Sequence, residues 1–253
     1  MTGYFVSDFL YTELQELRLN QRLKQRTTIF NGYFTIPSFT SIMDMAQTHY
    51  STSGYTIGIY PELKHPSFFN SLGFKMEDML LSALTSGGYA TTGEAVPNNL
   101  KQVVPAVVQC FEPASLQYLR GVSTLPLVLL LNVVPASFWE PSNIEEIAAY
   151  ASGVGPDKKN FGTNYRHAKT IADTIHQANL FIHPWTFRAD MDIMVQFNNS
   201  FANEEMYFYC CLGVDAVFSE FPDQTRETLD IWSNYTASHE HTSFKCPIDC
   251  SSF

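Results

Sequence analysis

Ile57-Gly58-Ile59-Tyr60-Pro61-Glu62-Leu63-Lys64-His65-Pro66 is the stretch from which the fold of this chain is read. It opens as an apolar, strand-type run and then presents Glu62 and Lys64, two opposite charges two residues apart, beside Pro61 and Pro66. Side chains i and i+2 of a strand share a face, so extended backbone puts this carboxylate and ammonium on one side, where strand gives way to loop. Taken alone, such a pair is a surface ion pair of little energetic weight. The chain on either side of it changes that reading.

Downstream a rhythm sets in. A strand over Thr56 to Tyr60 is followed by a helix from Lys75 to Ser86, where Met76, Met79, Leu80, Ala83 and Leu84 recur at helical spacing before Gly87-Gly88. Val103 to Gln109, Leu127 to Asn132, Gly153 to Gly155, Leu180 to His183 and Val214 to Ser219 are the next five strands. Helices over Pro113 to Arg120, Asn143 to Ala151, Asn164 to Gln177, Glu204 to Leu212 and Asp223 to Ser233 trail them. Strands each followed by a helix predict a parallel α/β sheet, closed either as a doubly wound sheet or as part of an eightfold barrel. No G-x-G-x-x-G or Walker-type loop follows any strand, which counts against a nucleotide-binding sheet. Polar residues just past the strand ends favour the barrel, whose active sites lie at that rim: Glu62 and Lys64, Gln109, Asn132, Asp157 and Lys158, His183 and Trp185, Glu220 and Asp223.

Upstream, Ser7 or Asp8 can cap a helix with Leu10, Leu14 and Leu17 on one face, and Pro37 opens a second with Phe39, Ile42, Met43 and Ala46. Residues 1–233 are expected to form one partial barrel domain. Residues 234–253, rich in Ser, Thr and His, are expected to be a poorly ordered tail.

Composition limits the function. With 253 residues, 45% of them hydrophobic, the chain can bury a substantial core. The apolar run Leu125 to Val134 is too short to span a membrane and reads as a buried strand. A net charge of −10 with only 15 Lys and Arg argues against nucleic acid as a partner. The five cysteines match no zinc spacing; Cys110 reads as a small core residue, and the terminal Cys246-Pro247-Ile248-Asp249-Cys250 is expected to form no disulfide. Asn198-Asn199-Ser200 and Asn234-Tyr235-Thr236 are formal N-glycosylation acceptors, while the opening MTGYFVSDFL lacks the pattern of a signal peptide.

IYPELKHP, VVQCF, GVGPDKKN, FIHPWTFR and GVDAVFSEFPD, in that order, resemble the successive strand-end motifs of the glycerophosphodiester phosphodiesterases of the bacterial periplasmic type. The opening segments YFVSDFLYTELQELR and FTIPSFTSIMDMA are similar too, so the resemblance runs from about Gly3 to Leu229. It implies a TIM (β/α)8-type barrel hydrolysing glycerophosphodiesters to an alcohol and glycerol 3-phosphate with a divalent metal, Ca²⁺ or Mg²⁺. By position, Glu62 is expected to be a metal ligand, and Lys64, Gln109 and Trp185 to contact substrate; His183 is expected to be structural.

The family's H-R-G, E-x-D and H-D motifs, with its catalytic histidines and two metal carboxylates, do not occur in these 253 residues. The expectation is therefore an amino-terminally truncated barrel of about six βα units, lacking the first two, with no catalytic histidine of its own and impaired hydrolysis. Open sheet edges make self-association the matching expectation. The full-length parent is expected to be secreted or extracytoplasmic.

Overall fold

The computed structural model describes residues 3–55, 57–89, 106–238, 246 and 248–250, with no account of the side chains of 234–238. Val103 to Pro105 of the second expected strand lie outside them. The chain divides into two units, Met1–Ile57 and Gly58–Phe253.

In the first unit the single helix expected from Ser7 to Leu17 is interrupted. A 3-10 turn, Val6–Asp8, and helix α1, Tyr11–Glu16, are separate because two acids cap backwards: Asp8 accepts from the Phe5 amide at 2.8 Å and Glu13 from the Leu10 amide at 2.7 Å. Each carboxylate satisfies an N–H that a helix start would otherwise leave orphaned. Helix α2, Phe39–Ser53, starts at Ser38, whose Oγ accepts from the Ser41 amide at 3.1 Å, and ends at Gly54 with φ 75°. It buries Met43 and Ala46.

The second unit holds a five-stranded parallel sheet in the order β1-β2-β3-β4-β5. Its strands are β1 Glu62–Leu63, β2 Val108–Cys110, β3 Leu127–Leu131, β4 Gly153–Pro156 and β5 Phe181–Ile182. Between and after them come α3 Pro66–Ser71, α4 Met76–Ser86, α5 Pro113–Val122, α6 Pro141–Ala148, α7 Tyr165–Gln177, α8 Phe201–Met206 and α9 Pro222–Ser238. The reading of an α/β fold with helices alternating along a parallel sheet holds. All five residues of β3 are buried, as an uninterrupted Leu-Val-Leu-Leu-Leu run in a central parallel strand should be. In α7, Ala168, Ile171, Ala172 and Ile175 form the buried face, and the helix packs beside β5.

Three details differ from the sequence reading. The ladder of β1 is at Glu62–Leu63; of the expected strand Thr56 to Tyr60, Thr56 lies outside the described residues and Ile59 forms only a bridge to Ala106. Val214 to Ser219 forms no sixth ladder; it runs beside β5 through amides of Asp215 and Phe218 on the carbonyls of Ile182 and Pro184, at 3.1 and 3.0 Å, and a Phe187–Ser219 bridge. The helix expected over Glu204 to Leu212 is α8 followed by a π-helical turn, Tyr207–Leu212, stopped at Gly213 with φ 77°.

The cysteines correct the sequence reading most plainly. Cys246 and Cys250 are bonded to the vicinal pair Cys210 and Cys211, as Cys210–Cys246 and Cys211–Cys250. Their partners are 36 and 39 residues away, so the short CPIDC spacing carries no sign of them. Cys110 is the buried thiol, and burial pushes its pKa up to about 11.

Candidate active site

In the β1–β2 register Glu62 lies opposite Gln109 and Leu63 opposite Cys110. Parity then sorts the side chains: Leu63 and Cys110 are buried, while Tyr60, Glu62 and Lys64 share the other face with Gln109 and Phe111. Lys64 Nζ lies 3.6 Å from Glu62 Oε2, with the ammonium side chain 74% exposed and the carboxylate side chain 21% exposed. Gln109 Nε2 donates to the Tyr60 carbonyl at 3.3 Å, which fixes the amide beside the pair.

Trp185 reaches this end of the sheet from beyond β5. Its Nε1 donates to the Gly155 carbonyl at 2.7 Å, and its ring meets Phe111 edge-on with centroids 5.8 Å apart. Two glycines on β4 leave room on this face. A Cβ at Gly153 would stand 2.2 Å from the Phe181 ring, and one at Gly155 2.7 Å from Leu130 Cδ2 and 3.2 Å from the His183 carbonyl. The structure thus gathers Glu62, Lys64 and Gln109 directly and brings Trp185 toward them through Phe111.

The other rim residues are occupied. Asp157 Oδ1 accepts from the Lys159 amide at 2.9 Å and caps the 3-10 turn Lys158–Phe161. Glu220 pairs with Arg188 at 2.8 Å. His183 accepts or donates at Nδ1 to the Tyr60 hydroxyl at 3.1 Å, according to its tautomer. Burial holds its pKa down at about 4, so at neutral pH the ring is uncharged. Tyr60 also packs on Phe218, with ring centroids 4.9 Å apart. Tyr60, Phe111 and Phe218 were not singled out from the sequence. The signal for Tyr60 was its position two residues before Glu62, on the same strand face.

Lys158, read from sequence as a rim residue, is buried. Its Nζ lies 2.9 Å from both Glu204 oxygens and 5.0 Å above the Phe187 ring. Glu204 also accepts from the Met194 amide at 2.9 Å, and its neighbour Glu205 accepts from Thr225 Oγ1 at 2.5 Å. Both carboxyl pKa values are pushed up, first by burial.

A hard divalent cation takes six or more oxygen ligands or, for Mg²⁺, a strict octahedron. The described rim carboxylates do not supply that set: Asp157 and Glu220 are engaged, Glu62 has an ammonium beside it, and Asp223 is not spaced with them to share an ion. A cleft of about 440 Å³ between α4 and α5 is acidic, but its Glu77 accepts from Ser115 and Asn70, Asp78 from Tyr118, and Glu112 from the Ser67 amide. Among the described residues the group spaced to ligate a metal is Cys211, Cys246 and Cys250, whose soft sulfurs do not suit Ca²⁺ or Mg²⁺ and which are disulfide-bonded. The described residues do not by themselves make a Ca²⁺ or Mg²⁺ site.

A parallel sheet alternating with helices, with charged and polar groups gathered past its strand ends, is consistent with part of a β/α barrel. Residues 2–224 match the Glycerophosphoryl diester phosphodiesterase family, and the chain belongs to that family. It is 30% identical over 242 residues to glycerophosphodiester phosphodiesterase GDPD6 of Arabidopsis thaliana, covering 87% of this chain and 63% of that protein. The chain therefore spans less than two thirds of that relative's length. With a glycerophosphodiester phosphodiesterase of Haemophilus influenzae the identity is 23% over 261 residues, covering 89% of this chain and 70% of the relative. A crystal structure of the glycerophosphodiester phosphodiesterase of Thermotoga maritima aligns at a TM-score of 0.43 and 10% identity, over 83% of this chain and 74% of the other.

Proposed function

We propose that this chain is part of a phosphoric diester hydrolase that cleaves glycerophosphodiesters to an alcohol and glycerol 3-phosphate, and that the Glu62–Lys64 end of the sheet is its phosphate-facing rim. The observation that carries this reading is the pair itself: a carboxylate and an exposed ammonium 3.6 Å apart at the end of a parallel strand, with Gln109 opposite. Lys64 neutralises charge that develops on phosphate, Gln109 holds the strand end in place and donates within the site, and Trp185 lines the glycerol or head-group side. Glu62 would supply one hard oxygen ligand toward Ca²⁺ or Mg²⁺. The remaining ligands and the acid–base histidines belong to H-R-G, E-x-D and H-D motifs, which these 253 residues do not contain. The sheet is then read as part of an eightfold barrel, its five paired strands joined by Val214 to Ser219 running beside β5 in the place of a sixth, with open edges that favour self-association.

A second reading, a binding or regulatory module without turnover, is favoured by that same absence of catalytic histidine motifs. One experiment separates the two. The purified chain is assayed for glycerol 3-phosphate release from glycerophosphocholine with Ca²⁺ or Mg²⁺, alone and with the H-R-G- and E-x-D-bearing segment of a complete family member joined ahead of it. Release only with an upstream H-R-G and E-x-D supports the hydrolase reading. Binding of glycerol 3-phosphate with no turnover in either form supports the module, and release by the 253 residues alone overturns the assignment of catalysis to the other motifs.

A further inference from the structure

We infer that Asn198 carries an N-linked glycan. The inference stands apart from the hydrolase reading, because none of its residues belongs to the rim. Asn198-Asn199-Ser200 follows the 3-10 turn Val195–Phe197, and Asn198 and Asn199 are both left-handed, with φ 48° and 59°. Two consecutive left-handed residues reverse the chain and push the Asn198 side chain out, where it is exposed. Its backbone amide bonds to the Val195 carbonyl, but among the described residues its side-chain amide has no hydrogen-bond partner. Asn tolerates the left-handed region better than most residues, and Ser200 Oγ caps α8 by accepting from the Asn203 amide at 3.3 Å; the acceptor triplet needs a hydroxyl at that same position, two after the asparagine. Ser200 supplies that hydroxyl, and the residue between is not proline.

The disulfides bear on this independently. Four of the five cysteines are paired and the fifth, Cys110, is buried, as in chains that fold in an oxidising compartment. In eukaryotic cells that compartment is also where glycans are transferred to asparagine. In the transfer, Asn198 Nδ2 forms a bond to the anomeric carbon of an oligosaccharide carried on a polyprenyl pyrophosphate. The sugar–pyrophosphate bond breaks, the amide loses one proton, and the lipid pyrophosphate leaves. Exposed Val195 sits beside the turn and would be covered by the sugar.

The test expresses the full chain behind a secretory leader in eukaryotic cells. The Asn198 peptide is read by mass spectrometry after peptide-N-glycosidase treatment, which converts a glycosylated asparagine to aspartate. The expected result is conversion at Asn198, lost in Ser200→Ala and kept in Ser200→Thr, with one glycan-sized mobility step missing in Asn198→Gln. Because Asn234-Tyr235-Thr236 is read as a separate peptide, a glycan there cannot mimic the result. Translation in the presence of microsomes gives a second readout that needs neither folding nor secretion. An unconverted Asn198 peptide in both the disulfide-bonded cellular pool and the microsomal product overturns the inference.

Discussion

Two glutamate–lysine pairs of the same chemistry stand in opposite settings in this molecule. Glu62 and Lys64 stand 3.6 Å apart, with the lysine side chain 74% exposed; Lys158 and Glu204 stand 2.9 Å apart with side chains 2% and 0% exposed. In water the first attraction is weak and readily redirected to an incoming anion. The second pair has lost its water. Lys158 therefore needs both Glu204 oxygens and the Phe187 ring, while Glu204 also takes the Met194 amide. Burial, rather than residue type, decides which pair is free to meet a ligand and which fastens α8 to the segment after β4.

The largest effect expected from this contrast is on stability. Glu204→Ala leaves a buried ammonium unpaired and should cost about 3–5 kcal/mol in urea unfolding, whereas Lys158→Met with Glu204→Leu should restore most of that loss. A cost below about 1 kcal/mol for Glu204→Ala would put the buried pair in the class of the rim pair and dissolve the distinction.

His183 lies between the two settings, half-buried against Tyr60, and sharpens the comparison through pH. Its folded pKa of about 4 lies below the ordinary 6.5, so between those values the unfolded chain binds the proton more readily. Stability present above pH 6.5 is then lost as pH falls toward 4. Allowing for its partial exposure, the loss is on the order of 2 kcal/mol. Thermal unfolding across that range should show an acid limb that His183→Gln flattens; equal slopes in the two proteins would remove His183 as its source.

At the rim the effect should appear in binding. Lys64→Ala should weaken glycerol 3-phosphate binding about tenfold by calorimetry, the loss of one charge-assisted contact. Its unfolding free energy should stay within about 0.5 kcal/mol of the parent. Unchanged affinity would make the Glu62–Lys64 pair a surface ion pair and nothing more. The smallest difference is in salt. Raising ionic strength should erase the Lys64-dependent share of affinity while leaving the stability cost of Glu204→Ala nearly unchanged, because screening reaches exposed charges first.

How far these features could be read from sequence follows from the range of the forces involved. The Leu127–Leu131 strand, the helix ending at Gln177 and the same-side placement of Glu62 and Lys64 follow from local periodicity and strand parity, and the structure has them, whereas Gln109 joins their face through the β1–β2 register. The burial of Lys158 does not follow, because its partner lies 46 residues further on and nothing in the Pro156-Asp157-Lys158-Lys159 stretch distinguishes one lysine from the next. The split of the first helix was visible in principle, since Asp8 and Glu13 each stand three residues after the amide they cap. The apolar spacing of Leu10, Leu14 and Leu17 masked it.

With four sulfurs tied up in disulfides, a thiol-specific reagent meets a single target, Cys110, shut inside the sheet where its Sγ donates to the Leu63 carbonyl at 3.2 Å. Reaction there requires the packing around β1 and β2 to open. The rate of alkylation in the native protein is therefore a clock for opening at the strand that bears Glu62, kept by the molecule without any added label.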